Sequence, residues 1–221
     1  MAHAQSKPNW FAIWISIAAV VVIVVASVLV VWMNNTVSSG GTAPAANAVN
    51  QETGAISFGD GDTELDLYLD FMCPFCNTFE QTYGDAIDDA VEAGTITYNV
   101  HPVTILDRLS QGTEFSSRAA NAMYCVADAK PESALQFMRV MFDNQPAENS
   151  TGLPDEQLIS IAAGVGAGDI TECVTDQTFS TFVAAKGKLP DGATGTPTVV
   201  VNGEIITLTG DPNVDILDRI G

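Results

Sequence analysis

Leu67-Tyr68-Leu69-Asp70-Phe71-Met72-Cys73-Pro74-Phe75-Cys76-Asn77-Thr78-Phe79-Glu80 carries the chain from an alternating strand into a helix across a single Cys-x-x-Cys. Leu65, Leu67, Leu69 and Phe71 repeat every second residue, the period that places side chains on one face of a strand. Pro74 suits the first helical position, where an N–H would be unpaired in any case. Cys73 therefore falls at the N-cap, where free backbone amides point toward its sulfur and favour thiolate over thiol. Cys76 lies one turn along the same helical edge, so the two sulfurs can join in a disulfide without moving the backbone. The junction is suited to redox chemistry. Pro74 and Phe75 inside the pair, with Asp70 and Glu80 outside it, are the positions from which the thiols could be tuned or protons carried. In the plainer alternative Asp70 merely ends the strand and Glu80 faces water.

A Cys-x-x-Cys can also be half of a zinc site. Zinc would need a second pair of ligands, but Cys125 and Cys173 stand alone and the only histidines are His3 and His101. No metal and no cofactor are expected.

The 221 residues divide into a short N-terminus (1–9), an apolar segment (10–32), a polar connector (33–54) and a region at 55–221 long enough to bury one sizeable core. From Trp10 to Trp32 no side chain is charged, and all three tryptophans lie in this stretch. It reads as a transmembrane helix with interfacial anchors. Lys7 and the amino terminus keep the start cytoplasmic and send the rest outside. A cleaved signal peptide fits less well, because its apolar core would be shorter and nearer the alanine-rich sites at 43–48. Residues 33–54, rich in Asn, Ser, Gly, Ala and Thr, read as a flexible linker. All 27 acidic side chains and seven of the eight basic ones lie at or after Glu52, giving that part a net charge of about −20. Nucleic acid is excluded as a partner.

Beyond the linker, strands are expected at 56–58, 63–71 and 95–103, with the Cys73 helix between the last two, which makes a β-α-β unit. Helical stretches at 115–128, 131–143, 154–163 and 168–187 form an all-helical insertion over about 104–188. Strands return at 198–201 and 204–208 around Asn202-Gly203, a tight-hairpin signature, before a final helix at 213–220.

That order, together with LYLDFMCPFCNTFE (67–80), VHPVTILD (100–107), SRAANAMYCVAD (117–128), QPAE (145–148) and GTPTVVVNG (195–203), resembles the membrane-anchored, DsbA-like thiol:disulfide oxidoreductases of actinobacteria. The similarity covers essentially all of 55–221. It implies an α/β thioredoxin fold with a helical insertion, preceded here by one N-terminal transmembrane helix. It also implies that Pro197 is cis and lies against the active-site disulfide, leaving the backbone of Thr196 free to pair with an extended substrate. The resemblance implies that Cys73 is attacked by substrate thiolates and that Cys76 resolves the mixed disulfide. Two departures bear on redox strength: Phe75 offers no imidazole between the cysteines, and Thr196 replaces the valine of the prototype oxidase.

His101 is expected as a structural, hydrogen-bonded histidine. Cys125 and Cys173 fit a structural disulfide of an oxidising compartment, with a second redox pair fed by Cys76 as the alternative. The leading function is an extracytoplasmic oxidase that introduces disulfides into exported polypeptides, working as a monomer and reoxidised by a quinone-linked membrane protein of DsbB or VKOR type. The alternatives are a reductase or isomerase and, in another class, a thiol-based metallochaperone.

Overall fold

The computed structural model describes residues 42–220, with Trp10, Val20 and Val21. Among the described residues no helix is long and apolar enough to cross a membrane. The span expected over 10–32 lies, but for those three residues, outside the described part.

Five strands form one sheet: β1 (Ile56–Phe58), β2 (Thr63–Leu69), β3 (Ile96–Pro102), β4 (Thr198–Val201) and β5 (Glu204–Ile206). Their order is β1-β3-β2-β4-β5, and only β2 and β3 run parallel. Helix α1 (Pro74–Glu92) makes the crossover between them, as a β-α-β unit requires. Leu65, Leu67 and Leu69 of the central strand are fully buried, whereas Glu64, Asp66 and Tyr68 alternate onto the opposite, more polar face. There Asp66 meets His101 at 2.8 Å and the His101 ring stacks on Tyr68 with centroids 4.1 Å apart. His101 is thus the hydrogen-bonded structural residue expected, within β3.

The insert supplies α2 (Phe115–Ala129), α3 (Ala134–Asp143), α4 (Asp155–Gly164), α5 (Thr171–Thr175) and α6 (Ser180–Lys186). The expected helix over 168–187 is therefore two short ones, broken at the left-handed Gln177. Cys125 and Cys173 form a disulfide that ties α2 to α5. The hairpin turn has positive φ at both Asn202 and Gly203, as a type I′ turn demands. The C-terminal helix is a π-helical turn (Asn213–Leu217) followed by α7 (Asp218–Ile220).

One boundary differs from expectation. The linker does not run free to residue 54, because 42–54 are fastened to the domain. Val49 is buried and bridges Ile56, Asp128 accepts from the N–H groups of Ala45 and Ala46, and Tyr124 Oη donates to the Gly54 carbonyl at 2.7 Å. Single apolar side chains such as Val49 and Ala43 anchor this segment, a pattern with no period to read in the sequence.

Candidate active site

Cys73 is the N-cap of α1 and Pro74 its first residue, with the Cys73 N–H bonded to the Asp70 carbonyl at 2.9 Å. Both cysteines are free thiols and both are buried; Cys73 is only 4% exposed. The Thr196-Pro197 bond is cis, and the Cys73 thiol donates to the Thr196 carbonyl at 3.3 Å. Cys73 and the Thr196-Pro197 turn, 123 residues apart, thus meet as expected.

The two sulfurs differ sharply. Cys73 is lowered to about 6, first by a hydrogen bond from the Cys76 thiol, then, against the opposing effect of burial, by the Thr196 side chain and by the N–H groups of Cys76 and Phe75. The bond to the Thr196 carbonyl belongs to the neutral thiol alone, since a carbonyl cannot donate to a thiolate. Burial pushes Cys76 well above the ordinary thiol value, and the neighbouring Cys73 adds to this. The helix amides singled out in the sequence do contribute, but the partner thiol contributes most.

Neither Asp70 nor Glu80 behaves as a plain surface carboxylate. Asp70 is fully buried and accepts from Met72 N–H (2.9 Å), Leu106 N–H (2.9 Å) and Ser116 Oγ (2.6 Å), joining the end of β2 to the insert. Burial raises it to about 6 against those hydrogen bonds. Glu80 does not face water: it is 9% exposed and paired with Arg139 of α3, which also bonds Asp88 at 2.6 Å. Glu80, Gly84 and Asp88 are successive i, i+4 positions, and a Cβ at residue 84 would collide with Arg139 Nη1. The mid-helix glycine is what lets the guanidinium lie against α1, and a glycine within a helical pattern is a sequence signal of such close approach.

Gln145, after α3, was legible only as part of the QPAE motif. Its Nε2 donates to the carbonyls of Phe71 (3.1 Å) and Cys73 (2.8 Å), and its Oε1 accepts from Asn77 Nδ2 (3.2 Å). Beside Cys73 and Cys76 a groove of about 460 Å³ runs between α1 and the β4–β5 edge, lined by Phe75, Phe79, Tyr83, Pro197, Val199 and Leu208 among others. No lining side chain is charged, and Phe75 stands 72% exposed at its rim. Among the described residues no group of three His, Cys, Asp or Glu side chains is placed to hold a metal ion.

A family model described as thioredoxin matches residues 52–218. The solved structure of oxidised DsbA from Mycobacterium tuberculosis superposes with a TM-score of 0.66 at 30% identity, covering 75% of this chain and 90% of that one. The chain belongs to the thioredoxin family, among its DsbA-like members. Reduced DsbG from the same organism, a disulfide bond oxidoreductase, matches at 30% identity with a TM-score of 0.64 over 80% of this chain and 84% of that one. MdbA, a thiol-disulfide oxidoreductase from Corynebacterium diphtheriae, shares the fold at 21% identity and a TM-score of 0.66, covering 81% of this chain and 95% of that one. A 31% identity over 163 residues links 68% of the chain to the serine/threonine-protein kinase PknE of M. tuberculosis. The chain spans about 28% of the length of that relative. This DsbA-like chain is accordingly a protein thiol:disulfide oxidoreductase.

Proposed function

We propose that this DsbA-like domain works outside the cytoplasm as an oxidase, held to the membrane by residues 10–32, passing its Cys73–Cys76 disulfide to exported polypeptides. The observation that carries the reading is the asymmetry of the pair, a thiol lowered to about 6 next to one held well above the ordinary value. A substrate thiolate attacks the Cys73 sulfur; the disulfide breaks, Cys76 leaves and takes up a proton. A second substrate thiolate then attacks the substrate sulfur, and Cys73 departs as a stable thiolate. Two electrons pass from substrate dithiol to enzyme, and the substrate gains one disulfide. An acidic leaving thiol speeds the last step and favours the reduced enzyme, which is what makes an oxidant.

The uncharged groove receives the substrate segment next to its cysteine, with Phe75 as a rim contact and the backbone at Thr196 as an edge for an extended strand. The Cys125–Cys173 disulfide supports an oxidising compartment. A membrane-embedded, quinone-linked protein of the DsbB or VKOR type then takes the two electrons back from Cys73 and Cys76.

The test is oxidative refolding of a reduced, unfolded disulfide protein by the oxidised domain. Recovery of native activity that is lost in Cys73→Ser supports the oxidase. Failure to oxidise, combined with efficient reduction of insulin disulfides, would transfer the assignment to a reductase.

A further inference from the structure

The turn that carries Cys73 is braced from the helical insert. Gln145 stands just past the end of α3, and both hydrogens of its amide are used on carbonyl groups of the turn, Phe71 at 3.1 Å and Cys73 at 2.8 Å. Its oxygen accepts from Asn77, immediately after the redox pair, and the Asn77 amide nitrogen also donates to the Phe142 carbonyl at 3.0 Å. One side chain therefore spans the turn from before the first cysteine to after the second. The Cys73 carbonyl it bonds is the same one that accepts the first helical bonds of α1, from the N–H groups of Cys76 (3.0 Å) and Asn77 (3.3 Å). Phe71 and Phe142 close the contact with ring centroids 5.4 Å apart, so the amide works beside a packed apolar wall, where an unpaired carbonyl is costly. Only an amide meets this demand: two donors and one acceptor are needed, and a carboxylate has no donor at neutral pH.

We propose that Gln145 is a positioning residue of the redox centre: by clamping the Phe71 and Cys73 carbonyls to Asn77 it holds the first turn of α1 in the geometry that solvates the Cys73 thiolate. Three of the donors that reach the sulfur, the Cys76 thiol and the N–H groups of Phe75 and Cys76, belong to this turn; the Thr196 side chain is the fourth. Releasing the clamp leaves the sulfur in place but lets its donors drift. The helical insert thereby sets the reactivity of a thiol that the thioredoxin core carries. The inference rests on Cys73 being the reactive thiol.

The experiment is a pH titration of Cys73 by thiolate absorbance in the reduced domain, with circular dichroism and thermal melting on the same samples. In Gln145→Ala the titration is expected to move up by about one unit from about 6, so that the thiolate share at pH 7 falls from about nine-tenths to about one-half. Gln145→Glu, nearly isosteric but without donors and with an added negative charge, is expected to shift it at least as far. Asn77→Ala, which frees the Gln145 amide oxygen and the Phe142 carbonyl but keeps the bonds to Phe71 and Cys73, is expected to give a smaller shift of the same sign. If Gln145→Ala does not fold, Gln145→Glu and Asn77→Ala decide. Folded variants that all titrate within about 0.2 of a unit of the parent would overturn the proposal. A parent domain that lacks oxidase activity would still show the shifts, so failure of the oxidase reading is distinguishable from failure of the clamp.

Discussion

Removing the Cys76 thiol separates the two sources of acidity at Cys73. The hydrogen bond from Cys76 is the largest cause of the lowering to about 6, while the N–H groups of Cys76 and Phe75 add less and burial works against both. In Cys76→Ala the backbone donors remain and the largest donor is gone. Cys73 should then titrate between about 7 and the value of about 8.5 of a free cysteine. At pH 7 the thiolate fraction falls from about 90% to at most about 50%, and the thiolate loses at least about 1.4 kcal/mol of stabilisation relative to the thiol. The measurement is thiolate absorbance at 240 nm against pH, on Cys76→Ala and on Cys76→Ser, whose hydroxyl keeps a donor and should fall between parent and alanine variant. A Cys76→Ala titration still near 6 would refute the reasoning and return the acidity to the amides at the start of α1.

Three further outcomes follow from the surroundings of the pair. Gly84→Ala gains helix propensity worth about 1 kcal/mol but drives Arg139 off Glu80 and Asp88, so urea unfolding should show a net loss of about 1–3 kcal/mol; a stabilised variant would mean that Arg139 has another seat. Replacing Cys125 and Cys173 together by serine opens a loop with a sequence separation of 48 and should lower stability by about 4 kcal/mol, without moving the Cys73 titration. A changed titration would instead reveal redox coupling between the two cysteine pairs. Asp70, held at about 6 when folded against about 3.9 when unfolded, binds a proton more tightly in the native state, so its contribution to stability is lost as pH rises from about 4 to 6, by roughly 2–3 kcal/mol. Asp70→Asn should flatten that part of the stability profile, and equal slopes in parent and variant would show that Asp70 does not titrate in this window.

The geometry of the cysteine pair was legible because it is local. Strand alternation at Leu65, Leu67 and Leu69, a proline after Cys73 and one turn to Cys76 place the sulfurs by backbone geometry alone. Pro197 and Thr196 became legible only through resemblance, since no local rule brings residue 197 to residue 73. The surroundings were harder for the same reason. Whether Asp70 and Glu80 are buried depends on Ser116, Leu106 and Arg139, which arrive from the insert and leave no spacing to read. Gln145 is a polar residue after a helix, and nothing in its neighbours tells that its amide closes the turn at Cys73. The docking of residues 42–54 rests on isolated contacts such as Val49 on Ile56, so composition alone made that stretch look like linker throughout.

The most direct test of the central claim is the reduction potential of the Cys73–Cys76 pair as a function of pH, measured against glutathione. Each proton taken up with the two electrons lowers the potential by about 30 mV per pH unit. With Cys73 near 6 and Cys76 far above, the expected slope is about 59 mV per unit below pH 6 and about 30 mV per unit from there through pH 8. At pH 7 that makes the pair about 30 mV more oxidising than one with an ordinary Cys73. A single slope of about 59 mV per unit through pH 8 would mean that both thiols stay protonated, and would contradict the account.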